Sequence, residues 1–217
     1  MLVQMINSTI ARELGVSESQ VAATVALLDE GNTVPFIARY RKEVTGGLDD
    51  SQLRQLEERL AYLRELEERK QSILAAIEEQ GKLSDDLRAL ILACETKARL
   101  EDLYLPFKKR RKTKADVARE AGIEALVDAL IDVPSTDATS AATAYVCEGF
   151  EDEKKVLEGA RAILVDRCAT NADLVGEVRE EMLSRGHMTA SVAEGKEQEG
   201  AKFKDYFEFS ESFESLP

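Results

Sequence analysis

The stretch from Asp49 to Gly81 constrains this chain more than any other. Leu53, Leu56, Leu60 and Leu63 step by three or four residues, the spacing that holds apolar side chains on one face of an α-helix. The seam then moves by three residues to Leu66 and resumes at Ile73 and Ile77, a stammer in a heptad pattern. Asp49 supplies a cap and Gly81 a stop, which predicts a helix from about Asp50 to Gln80. Lys70 falls within the seam and argues against a long homodimeric coiled coil. The predicted element is a strut that packs on other helices of its own chain. Glu57, Glu58, Glu67 and Glu68 are expected on its wet face, with Glu65 placed to pair with Arg69.

Helical signals continue on both sides. Leu2, Val3, Met5, Ile6 and Ile10 recur at helical spacing before Gly15. Ser17 and Gln20 form a capping box that opens a helix through Glu30, closed by Gly31. Thr33 and Pro35 suit the start of a short turn carrying Phe36, Ile37 and Tyr40, and Thr45, Gly46 and Gly47 break the chain. Further helices are predicted from Ser84, Thr96, Thr113, Glu124, Thr139, Asp152 and Asn171, punctuated by Pro106, Gly122, Pro134, Gly149 and Gly186. The predicted fold class is all-α: a multi-helix assembly with a helix-turn-helix-like amino-terminal part over residues 1–48 and one long central helix inside a helical region over 49–190. Residues 191–217 read as a linker or tail toward downstream domains. Phe203 to Phe209 shows a two-residue alternation, is rich in aromatics and acids, and reads as a linker or a strand that pairs with something further along. Phe203 to Pro217 is expected to be poorly ordered or packed in a crystal contact.

A chain of 217 residues with 44% apolar and 33% charged content is globular and long enough for one or two packed domains. No apolar run approaches the ~18 residues that cross a bilayer, and the start lacks a secretory signal, so a cytoplasmic address without membrane contact is expected. Cys94, Cys147 and Cys168 are odd in number and widely spaced, which reads as small buried hydrophobes in a reducing compartment. With a single histidine, His187, and no clustered cysteines, no metal site is expected. No P-loop, dinucleotide fingerprint or nucleophile elbow occurs, so the chain reads as no enzyme, without catalytic residues or cofactor.

The net charge of −13 repels nucleic acid unless cations are concentrated locally. They are, at Lys108, Lys109, Arg110, Arg111, Lys112 and Lys114, six cations in seven residues. Pro106 directs the run into an exposed loop. It is a candidate phosphate contact, set against a solvated loop or one neutralised by an acidic surface of the same protein. A smaller group, Arg39, Arg41 and Lys42, lies beside Phe36 and Tyr40, where aromatics among cations can stack bases. Phe36 and Ile37 read more simply as core. Ala11, Gly15 and Val21 have the offsets of a helix-turn-helix. The helix from Glu18 to Glu30 carries three acids and no Lys or Arg, which favours a scaffold or protein contact over base reading. A second such pattern at Val117–Ile123 puts Asp128 where an apolar anchor belongs.

Three stretches carry a resemblance: Val34 to Asp49 (VPFIARYRKEVTGGLD), Leu100 to Phe107 (LEDLYLPF) with the basic run behind it, and Gly195-Lys196-Glu197 followed by Gly200-Ala201-Lys202-Phe203 and Asp205-Tyr206-Phe207. In order and spacing they resemble the bacterial Tex family over essentially the whole chain. The resemblance implies a transcription accessory protein that binds RNA or DNA. It also implies a longer protein, with a ribonuclease-H-like domain, helix-hairpin-helix elements and an OB-fold beyond this region. No catalytic residue carries over. Two readings follow: a helical scaffold of a nucleic-acid-binding transcription accessory protein, or a module that contacts the transcription machinery without binding nucleic acid itself.

Overall fold

Side-chain caps open seven of the eleven α-helices among the described residues. The computed structural model describes residues 2–216. It contains α1 (Leu2–Leu14), α2 (Glu18–Asp29), α3 (Val34–Tyr40), α4 (Asp50–Glu79), α5 (Asp85–Leu92) and α6 (Lys97–Tyr104). There follow α7 (Lys114–Glu120), α8 (Glu124–Asp132), α9 (Ala138–Ala142), α10 (Glu153–Ala169) and α11 (Ala172–Arg185), then strands β1 (His187–Ser191) and β2 (Glu208–Ser212). The side chains of Ser17, Asp49, Ser84, Thr113, Asp137, Asp152 and Asn171 each accept a backbone N–H of the turn they open. Gly15 ends α1 at φ +67°, a left-handed conformation that lets the Val16 N–H reach back to the Ala11 carbonyl at 3.0 Å. The same closure follows Gly31, Gly81 and Gly122. The fold is all-α apart from one two-stranded ribbon. Among the described residues no helix is long and apolar enough to cross a membrane.

The chain divides into two compact units between Lys97 and Ala98. The 48/49 boundary expected from the sequence falls inside the first. There α4 is the predicted strut, packed against α1, α2, α3 and α5. Leu53, Leu56, Leu60, Leu63, Leu66, Ile73 and Ile77 are all buried, each such side chain contributing roughly 1.5–3 kcal/mol of hydrophobic stabilisation. Glu67 corrects the expected wet face: it is buried and paired with Lys70.

In the second unit, Ala115 and Ala118 of α7 and Val156, Ala160 and Ile163 of α10 share a core with Leu126 and Val127 of α8. Small residues allow the close approach, because a Cβ at Gly159 would lie 3.2 Å from the Ala118 Cβ and 2.8 Å from the Phe150 ring. Arg179 grips the buried Asp102 with two hydrogen bonds of 2.7 Å, and Arg99 pairs with Asp173, so charge ties α11 to α6.

The tail departs from expectation. It turns back rather than onward: β2 pairs antiparallel with β1, Ala190 opposite Phe209, and the Phe213 N–H donates to the Gly186 carbonyl at 3.0 Å. Phe203 and Tyr206 nevertheless remain exposed. Of the cysteines, Cys94 is buried as expected but Cys147 and Cys168 face water.

Candidate nucleic-acid interface

The basic run sits where the sequence placed it. Leu105–Phe107 makes one tight turn behind the buried Leu103, and the chain then runs without regular structure until Thr113 caps α7. All six cations are exposed. They are not equally available. Arg110 lies 2.7 Å from Asp166, and Lys112 pairs with Glu120. Lys109 too is engaged within the chain. Lys108, Arg111 and Lys114 make no ion pair among the described residues, and Lys114 also lines a groove of about 660 Å³ with Val117, Phe150, Lys155, Arg161 and Val165. The neutralised-loop alternative thus accounts for part of the run only.

Asp166 is the hub of that neutralisation. Arg119 reaches it at 2.8 Å and also meets Asp116 and Glu124, while Arg167 meets Glu124 at 2.9 Å and Asp128 at 2.6 Å. The hydrogen bond from Arg110 is the main cause that holds the Asp166 carboxyl below its usual range, with burial opposing and Arg119 assisting. Asp128, which spoiled the second helix-turn-helix pattern, serves this network instead. No local sequence signal marks Asp166, because its partners come from distant segments.

In the first unit, α3 buries Val34 and Ile37 and leaves Phe36 half-buried and Tyr40 55% exposed. Ile37 is core; Phe36 is not. The two rings lie 5.3 Å apart at 48°. The Arg41 guanidinium sits 5.4 Å over Phe36, and that of Arg39 sits 6.0 Å over Tyr40. Arg39, Arg41 and Lys42 are exposed and make no ion pair among the described residues. The Gln20 amide donates to the Gly46 carbonyl at 3.0 Å and fixes the segment that follows. Ahead of it, α1 and α2 join through Gly15 with Ala11 and Val21 buried, and α2 bears no cation.

The family model for the Tex-like protein N-terminal domain matches residues 4–78, and that for a Tex central region-like segment matches residues 133–217. The chain is 52% identical over 212 residues to the transcriptional accessory protein Tex of Neisseria gonorrhoeae, covering 98% of this chain and 28% of the relative. To protein YhgF of Escherichia coli K12 it is 54% identical over 210 residues, covering 96% and 27%. The human S1 RNA-binding domain-containing protein 1 is 32% identical over 159 residues, covering 73% of this chain and 16% of that protein. The chain therefore spans little more than a quarter of the length of these bacterial relatives. Two Tex models on separate segments, joined by bacterial relatives over nearly every residue, lead to one assignment: the chain belongs to the Tex family of transcription accessory proteins.

Proposed function

We propose that this chain is the amino-terminal helical scaffold of a cytoplasmic, nucleic-acid-binding transcription accessory protein, and that it binds rather than catalyses. Its part is to present cations to the phosphates of RNA or DNA, as an auxiliary contact. The observation that carries this reading is the exposure of Lys108, Arg111 and Lys114, unpaired, in a chain of net charge −13. Phosphate neutralisation releases counterions and supplies most non-specific affinity. The names of the relatives, one a transcriptional accessory protein and one an S1 RNA-binding domain protein, point the same way.

The test is a salt titration of single-stranded RNA and DNA binding. Three phosphate contacts contribute about −2 to the log–log slope, at ~0.7 each. Replacing Lys108, Arg111 and Lys114 by Ser should flatten the slope by about that amount and leave helicity unchanged. Unaltered slope and affinity for both strands would reject the contact. A protein-interaction module would then lead, a reading favoured by the exposed row Leu174, Val178 and Met182 along α11.

A further inference from the structure

We infer that the Phe36–Tyr40 face of α3 is a stacking platform for a base of single-stranded nucleic acid. This rests on the nucleic-acid reading above and narrows it to an unpaired strand. α3 turns Val34 and Ile37 inward, which leaves Phe36 and Tyr40, one helical turn apart, on the outer side. A Tyr that serves packing is covered, or its hydroxyl is bonded. The Tyr40 ring is 55% exposed, and its hydroxyl makes no hydrogen bond among the described residues.

The charges around these rings fit the same ligand. Arg39, Arg41 and Lys42 surround them with Glu43 as the one acid of the segment, and two guanidiniums already lie over the ring faces. Planar rings offer an unstacked base a surface, and cations beside them meet its flanking phosphates. The same cations offset the partial negative charge at the carboxyl end of α3. A duplex keeps its bases stacked on one another and offers the rings no free face. An acidic peptide would satisfy the cations but has no use for two aromatic planes without an aliphatic pocket.

The experiment measures binding of the full chain to a 12-nucleotide single strand bearing 2-aminopurine, and to the duplex of the same sequence, at low salt. Tyr40→Leu keeps apolar bulk and removes the plane; Tyr40→Phe keeps the plane. We expect Tyr40→Leu to weaken the single strand about fivefold or more and to abolish the 2-aminopurine quenching. Tyr40→Phe should behave as wild type. Duplex affinity and salt slope should not move, since no phosphate contact is lost. If Tyr40→Leu binds the strand as wild type does while the Lys108, Arg111 and Lys114 triple variant is weakened, the platform is rejected and the phosphate reading survives. If the wild-type chain binds neither strand nor duplex, both fail. Displacement of the strand by polyglutamate at equal charge concentration would show a general polyanion surface and overturn the stacking role.

Discussion

Lys70 and Glu67 form an ion pair inside the first unit, with 2.6 Å between Nζ and Oε1 and both side chains nearly closed to water. The same ammonium donates to the Leu92 carbonyl at 3.0 Å, at the carboxyl end of α5. The apolar seam of α4 is thus completed by a charge pair that also ties down its neighbour.

Breaking one half of that pair should cost far more than replacing both halves. Lys70→Met strands a buried carboxylate and is expected to lower stability by about 3–5 kcal/mol. The double variant with Glu67→Leu should recover most of the loss. Urea unfolding of the two variants decides it, and equal losses in both would show that the pairing is not what matters.

Acid should weaken the second unit through Asp166. Arg110 foremost holds its carboxyl below the ordinary value of 3.8. A depressed carboxyl contributes stability that is complete above its unfolded value and is lost as pH falls through the folded one. The expected window therefore opens below about pH 4. Asp166→Asn should flatten the acid limb of a urea-midpoint series from about pH 7 to 3. An unchanged limb would assign acid sensitivity to other carboxyls, Glu124 among them, which Arg167 holds low.

The same substitution should act oppositely on binding. With Asp166 neutral, Arg110 is released into the loop beside Arg111. If that loop meets phosphates, Asp166→Asn steepens the salt slope for a single strand by up to ~0.7. A flatter slope in that variant would contradict the phosphate role of the loop.

Gly186→Ala should detach the ribbon. A Cβ there would fall 2.2 Å from the Met182 carbonyl and 2.8 Å from the Phe213 ring, so the backbone must move and the ring with it. We expect a local loss of roughly 1–3 kcal/mol, read as faster amide exchange in β1 and β2 with α10 unaffected. Equal protection in both proteins would show that the end of α11 and the Phe213 ring both give way without loosening the ribbon.

The helices were legible because their signals are local. Ser17, Asp49, Ser84, Thr113, Asp152 and Asn171 cap helices within three residues of themselves, and the leucines of α4 report their own face. The misses are non-local. Glu67 lies beside the seam and is buried because the end of α5 brings the Leu92 carbonyl to Lys70. Arg110 was legible as a cation but not as one already claimed by α10. The alternation read at Phe203 to Phe209 falls mostly in a 3-10 helix, Ala201–Tyr206; the strand is Glu208–Ser212, and nothing in it names His187–Ser191 as its partner.

The hydrogen bond from Phe213 to Gly186 makes everything between them a round trip. The chain leaves the end of α11 and returns to it, so the intervening segment has no net reach. Lengthening the long connection between the strands, which includes the 3-10 helix Ala201–Tyr206, displaces neither terminus of the excursion and costs only about 0.6 kcal/mol of closure entropy per doubling. The length of the excursion is thus uncoupled from the placement of what comes before Gly186 and after Phe213.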